Sequence, residues 1–370
     1  MMSHTVKWGI VGTGWIAGEF AHALQQAGAG PLTAIASRDL VRARQFAASF
    51  PGALSFGSYG EMYSNPEVDV VYIATPHVRH HQDCLEALRA GKHVLCEKPL
   101  AMNAQQAREI AAAAAQHDRF CMEAMWMRFM PLVLQLRDWL AKEKLGSPCA
   151  LTGSFGVPTA WHPQSRFYDP ELGGGALLDR GVYLVSLAHF LFGAPDHVAA
   201  HALVGKSGVD EHTSFLLRYA AGHRVTGECS LRCQLPNDAL VVGERGSAKL
   251  DEPFFRPHRL SFQPSLPEGR ESPSQVTRAN RSGIRQKTRR WLQEHPIAQR
   301  WKSHLSRLRQ GWKSGAAEQL FEPVRGNGYA YEAREVAQCV TNGQRQSKLM
   351  PLDESVAVLE TLDRLTAAAR

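Results

Sequence analysis

The chain has 370 residues, 44% hydrophobic and 21% charged, with 31 glycines and 20 prolines; these proportions lie near the globular average and exclude collagen-like and disordered classes. The formal charge of +7 is local: residues 270–313 hold twelve Lys or Arg and two Glu, which leaves −3 elsewhere, and no zinc-finger spacing, RNA-binding aromatic motif or basic zipper points to a nucleic-acid partner. Seven scattered cysteines without a C-x-x-C pair give neither a disulfide framework nor a metal site, and they read as packing residues in a reducing cytoplasm, Cys229 and Cys233 sharing one face of a strand.

No apolar run approaches the ~18 residues needed to cross a bilayer. A first strand beginning at Val6 leaves no room for a signal peptide, so export is not expected. The length predicts two domains. Over residues 1–124, apolar runs predict strands at Val6–Val11, Leu32–Ser37, Leu54–Phe56, Val68–Thr75, His93–Cys96 and Phe120–Glu123. Between them, 3.6-residue periodicity predicts helices at Ile16–Gln26, Leu40–Ser49, Val78–Ala90 and Ala104–Gln116. This alternation is that of an α/β Rossmann half, a doubly wound parallel sheet. Residues 125–370 change character. A linking helix at Pro131–Lys142 precedes longer strands at Cys149–Phe155, His197–Leu203, Thr213–Tyr219, His223–Leu231, Leu240–Gly243 and Ser247–Leu250, with a helix from about Gly175 among them. They predict an α+β domain with a large, mainly antiparallel sheet. It carries a basic insertion at 264–320 and ends in helices at 328–341 and 352–369.

The first strand runs into Gly12-Thr13-Gly14-Trp15-Ile16-Ala17, the G-x-G-x-x-A dinucleotide fingerprint: glycines for a tight turn and close approach, then a helix N-terminus whose free amides face a pyrophosphate. The second strand ends in Ser37-Arg38-Asp39, where an NAD-selective site presents a carboxylate to the ribose. A guanidinium at Arg38 suits a 2′-phosphate and favours NADP, with NAD as the alternative if Asp39 holds the ribose. Two further turns, Thr75-Pro76-His77 with His80 beyond it and Glu97-Lys98-Pro99, lie at carboxyl ends of parallel strands, where such sheets bind ligands. By pattern alone, Lys98 is either a nicotinamide-ribose donor or a solvated turn residue. Gly173-Gly174-Gly175 opens a helix on which Asp179 and Tyr183, four apart, share a face; they are a substrate pair or an ordinary core tyrosine with a first-turn acid.

Together with the runs Gly91–Pro99, Glu123–Pro131 and Gly173–Tyr183, these segments resemble the Gfo/Idh/MocA oxidoreductases, and most closely their dihydrodiol dehydrogenase and NADP-dependent xylose dehydrogenase branch. The resemblance covers residues 6–250 and 326–370. It implies that Lys98 is the lysine of the family's Glu-Lys-Pro motif, that Asp179 is its acidic substrate-site residue, and that Tyr183, where many members carry histidine, is the general acid/base. Cofactor contacts are then expected from Gly12, Gly14, Trp15, Ile16, Ser37, Arg38, Thr75, Pro76, His80, Glu97 and Lys98, and substrate contacts from Trp126, Arg128, Trp161, Phe167, Asp179 and Tyr183. Arg180, where relatives carry an apolar residue, and the enlarged 264–320 insertion depart from the pattern.

The expected activity is NADP-dependent hydride transfer at a secondary alcohol or hemiacetal of a sugar or cyclic vicinal diol. Lys98 beside Tyr183 would lower the phenol's pKa. The His80–His81 pair is the next acid/base candidate. The alternatives are a redox-neutral glycosidase or epimerase-type enzyme that retains its cofactor, and a non-catalytic cofactor-binding sensor. A homo-oligomer, dimer or tetramer, is expected in the cytoplasm. In the insertion, Ile297, Trp301, Leu305, Leu308 and Trp312 fall at helical spacing among basic residues; packing on self is favoured over peripheral membrane contact through 297–313.

Overall fold

The computed structural model describes residues 5–162, 165–265, 317–324 and 326–369. The basic helix expected at 297–313 lies outside the described residues. The first sheet is built from β1 (Trp8–Val11), β2 (Leu32–Ala36), β3 (Leu54–Phe56), β4 (Val70–Ile73), β5 (His93–Glu97) and β6 (Cys121–Ala124), interleaved with α1 (Trp15–Ala27), α2 (Leu40–Ala47), α3 (Tyr59–Tyr63), α4 (His77–Arg89) and α5 (Ala104–Gln116). All its pairings are parallel, in the order β3-β2-β1-β4-β5-β6. β1 and β4 are buried at every residue, as strands covered on both faces must be. The order reverses between them, which opens a crevice at their carboxyl ends.

A 3₁₀ turn at Trp126–Phe129 and α6 (Pro131–Ala141) lead into the second sheet. Its strands are β7 (Pro148–Gly156), β8 (His197–Val204), β9 (Asp210–Arg218), β10 (Arg224–Ser230), β11 (Ala239–Gly243), β12 (Gly246–Leu250), β13 (Arg259–Pro264) and β14 (Glu318–Phe321). The order is β14-β13-β12-β11-β7-β10-β9-β8, antiparallel except for β7 beside β10. β13 and β14, absent from the sequence expectation, show that the chain leaves the sheet at Pro264 and re-enters beside the same strand at Glu318. The strand expected to carry both Cys229 and Cys233 stops at Ser230, so Cys233 lies beyond it and is exposed while Cys229 is buried; Cys149 is exposed too, which corrects the packing reading for these two thiols.

The helix after the triple glycine opens with a π turn, Leu177–Gly181, and continues as α7 (Val182–Phe192). Pro170–Phe192 is one described stretch long and apolar enough to cross a membrane, contrary to the sequence expectation, but 83% of its apolar window is buried inside the protein. The chain ends in α8 (Tyr329–Thr341) and α9 (Leu352–Ala368). These return to the first sheet's helices, α8 packing on α1 and α9 on α5 as well as on α7.

Candidate active site

The cofactor side starts where β1 turns into α1. Gly12 has φ +98°, and a Cβ there would lie 2.6 Å from the Ala74 carbonyl oxygen, so only glycine lets this turn pass the end of β4. Gly14 is the N-cap of α1. It brings no capping side chain, and a Cβ on it would meet open space, so the first-turn amides face a cleft with room for an anion. A dinucleotide pyrophosphate fits this cradle. Trp15 is 77% exposed in that first turn, whereas Ile16 packs partly against the core.

At the end of β2, Asp39 caps α2: its Oδ1 accepts from the amides of Val41 at 2.8 Å and Arg42 at 3.4 Å, and its Oδ2 is 3.7 Å from the Arg42 Nε. Ser37 is buried and accepts the Asp39 amide. The Arg38 guanidinium is exposed, beside the Tyr59 hydroxyl. Asp39 is thus the N-cap of α2.

The Thr75 and Pro99 turns are held together. His80 is fully buried, with Nε2 2.9 Å from the Thr75 carbonyl oxygen and Nδ1 2.7 Å from that of Pro99. Burial pushes its pKa down against the pull of the two carbonyls. Both ring nitrogens face carbonyl oxygens, so His80 ties the two turns together. His81 faces Glu109 at 2.7 Å instead. The Thr75 hydroxyl donates to Asp83, and Pro76 forms the N-cap of α4. Glu97 accepts from the Tyr72 hydroxyl at 2.5 Å and from the Lys98 amide at 3.1 Å, which shapes the Glu-Lys-Pro turn from beneath.

Across the crevice, Lys98, Asp179 and Tyr183 meet. The Lys98 Nζ donates to the Asp179 carbonyl oxygen at 2.8 Å, lies 3.4 Å from Asp179 Oδ1, and stands 4.8 Å from the Tyr183 ring centroid. Arg166, which carried no signal in the sequence, reaches the same Oδ1 at 3.1 Å, and the Arg180 Nε is 3.9 Å from Oδ2. Burial alone would raise the Asp179 carboxyl, but first Lys98, then Arg166 and Arg180, hold it well below the usual carboxylate range. Asp179 is therefore an anion among cations. His77, 3.3 Å from the Gly173 carbonyl oxygen, is pushed down to about 3, first by burial and then by His80, and stays neutral.

Tyr183 departs from expectation. Burial first, then the Glu97 carboxylate, pushes its phenol well above 10, while the Lys98 ammonium donates to the Asp179 carbonyl oxygen. Trp126 Nε1 donates to that hydroxyl at 3.1 Å. Phe155 and Phe255, each 5.4 Å from the Tyr183 ring, complete an aromatic wall with Trp126 and Tyr329. Phe155 closes a predicted strand, but nothing in the sequence pattern singles out Phe255. Phe167 is half-buried under the Arg166 guanidinium at 4.1 Å, and its neighbour Tyr168 is buried with its hydroxyl on the Thr159 carbonyl oxygen. Trp161 is 57% exposed.

Two arginines are structural. Arg128, expected at the substrate, is fully buried; it donates to the Ser186 hydroxyl and carbonyl and pairs with Glu354 on α9. Arg180 spends its guanidinium on the Val157 and Ser230 carbonyl oxygens and the Thr159 hydroxyl, fastening the ends of β7 and β10. Among the described residues no cluster of three or more His, Cys, Asp or Glu is arranged for a metal.

This geometry has counterparts. Residues 6–125 match the family model described as oxidoreductase family, NAD-binding Rossmann fold, and residues 133–249 match the GFO/IDH/MocA C-terminal domain. The chain is 32% identical over 367 residues to trans-1,2-dihydrobenzene-1,2-diol dehydrogenase of Mus musculus, covering 98% of this chain and 96% of that one. The Danio rerio enzyme of the same name is 31% identical, covering 97% and 95%. Among solved structures, KijD10, a 3-ketoreductase from Actinomadura kijaniata in complex with NADP and TDP-benzene, superposes with a TM-score of 0.78 at 25% identity, over 99% of this chain and 98% of that one. Levoglucosan dehydrogenase, at 18% identity over 99% and 97% of the two chains and a TM-score of 0.79, shares the fold.

Proposed function

Because the chain belongs to the Gfo/Idh/MocA family of NAD(P)-dependent oxidoreductases acting on alcohol or sugar groups, we propose that it moves hydride between NADP and a secondary alcohol or hemiacetal carbon of a sugar or cyclic vicinal diol. The observation that carries this reading is the meeting of Lys98, just past the carboxyl end of β5, with Asp179 and Tyr183, in a chain whose α1 N-terminus lacks a capping side chain. Nicotinamide supplies the hydride donor or acceptor; the protein must supply the proton and the orientation. Tyr183, held protonated by its burial, gives its phenolic proton to the substrate oxygen in reduction and takes it back in oxidation. Asp179, ionised, accepts hydrogen bonds from substrate hydroxyls, and Lys98 holds Asp179 in place. The aromatic wall of Trp126, Phe155 and Phe255 offers apolar faces to a ring.

NADP is favoured over NAD because the Asp39 carboxylate is committed to its helix cap and the Arg38 guanidinium is exposed. Seven free cysteines support a reducing cytoplasm, and exposed Leu203, Val204 and Leu216 on β8 and β9 support a homo-oligomer. The test is a panel of aldoses, cyclitols and dihydrodiols assayed with NADP⁺ and NAD⁺ at 340 nm. Net reduction of NADP⁺ by a member of the sugar or diol set is the expected result. Substrate conversion without net absorbance change, by protein that retains its cofactor, would move the enzyme to the redox-neutral class.

A further inference from the structure

On the second sheet, outside the Lys98–Asp179–Tyr183 set, a thiol, an imidazole and a carboxylate stand in line. Cys233 is exposed just beyond β10, and its Sγ lies 3.9 Å from His212 Nδ1. The other ring nitrogen, Nε2, is 2.7 Å from Glu228 Oε1. β9 and β10 pair His212 with Ser230, so Glu228, two residues back along β10, is its diagonal neighbour on the same face of the sheet.

The carboxylate decides the tautomer. Glu228 can only accept, so the imidazole carries its hydrogen on Nε2 and turns the Nδ1 lone pair toward the thiol. That is the order nucleophile, base, orienting acid. Ser230 Oγ fixes the turn, accepting the amides of Arg232 at 3.0 Å and Cys233 at 3.2 Å and lying 3.3 Å from Sγ. Cys149, also exposed, has its Sγ 3.7 Å from the Ser147 carbonyl oxygen, with no imidazole hydrogen-bonded to it among the described residues, and serves as an internal control.

We propose that Cys233 is a reactive thiol site that captures low-molecular-weight disulfides as a mixed disulfide. His212 Nδ1 takes the thiol proton. The Cys233 sulfur then attacks one sulfur of the incoming disulfide, forming a new S–S bond as the old one breaks, and the departing thiolate takes the proton from the imidazolium that Glu228 has held in place. Cys233 is oxidised and the leaving half of the disulfide is reduced, so no further oxidant enters.

The experiment uses the intact enzyme and oxidised glutathione as the probe, with timed quenching by a maleimide and peptide mass spectrometry at each cysteine. The Cys233 adduct should form about tenfold or more faster than the Cys149 adduct. His212→Asn should bring the two rates together while leaving hydride transfer unchanged, and Glu228→Gln, a milder change, should lower the ratio in the same direction. Equal rates at Cys233 and Cys149 in the unsubstituted enzyme would overturn the proposal. So would an unchanged ratio in folded His212→Asn and Glu228→Gln proteins.

Discussion

Tyr183→Phe removes one oxygen and keeps the ring that packs at 5.4 Å against both Phe155 and Phe255. The fold should survive, because the structural loss is one hydrogen bond: the Trp126 Nε1 donor is left without its 3.1 Å acceptor, a penalty of about 1–3 kcal/mol offset in part by no longer burying a hydroxyl. Thermal melting should record a drop of only a few degrees. Turnover should respond far more. Losing a positioned proton donor lowers kcat by ~10²–10⁴, about 2.7–5.4 kcal/mol of barrier, with the Kd for NADP(H) close to that of the unsubstituted enzyme. The assay is steady-state turnover at 340 nm in both directions over a range of pH. Since burial and Glu97 keep the phenol protonated, reduction should be flat from about pH 6 to 9, while oxidation, which needs the proton removed, should rise with pH. Wild-type kcat in Tyr183→Phe would remove the tyrosine from the chemistry, and an oxidation rate that falls as pH rises would contradict its raised pKa.

Arg38→Ala should raise the KM for NADP⁺ by about ten- to hundred-fold, as expected for loss of a charge-assisted contact of ~1.5–3 kcal/mol, and leave that for NAD⁺ nearly unchanged; equal effects on the two would reject the phosphate contact. His80→Ala unties the Thr75 and Pro99 turns, so it should weaken NADP binding and lower Tm together, and a variant with native melting and native cofactor Kd would show that the tie is dispensable. Glu332 is fully buried and both of its carboxyl oxygens lack a hydrogen-bond partner among the described residues; burial, then Glu97, pushes its pKa well above that of a free carboxyl. Its raised folded value means that the protein holds a proton the unfolded chain releases, so the stability tied to it is complete in acid and declines as pH climbs past about 4.3, the unfolded value. The Tm of Glu332→Gln relative to the unsubstituted protein should therefore increase between pH 5 and pH 8, and a difference that stays constant would indicate a partnered carboxylate.

The first sheet could be read from the chain because each of its strands is a short apolar run closed by a turn, and each long helix carries one apolar stripe. β13 and β14 could not: their burial patterns, mixed in one and almost wholly exposed in the other, have no alternation for a period-two reading to find. Motif spacing and the family resemblance brought Lys98, Asp179 and Tyr183 to attention, and the structure brings them together. What those side chains do to one another was not legible, since that depends on where a lysine's last carbon points. Lys98 turned to Asp179, and the tyrosine's pKa rose where a fall was expected. Arg128 illustrates the converse. A basic residue inside a family-like motif looked like a substrate contact, but its partners Ser186 and Glu354 lie far along the chain, where no local pattern reports them. Arg166 escaped because a single arginine in a loop has no periodicity to mark it.

The closing helices have a consequence for how the protein is made. α8 and α9 leave the ribosome after the described strands of both sheets, yet they cover α1 and α5, which belong with the first sheet. Through most of synthesis the parallel sheet can assemble behind these helices while their outer flanks stay bare, a sticky intermediate of the kind that chaperones attend. A stop codon shortly before Tyr329 would leave every glycine of the nucleotide fingerprint in place and still strand that intermediate, because the flanks of α1 and α5 would never receive their cover.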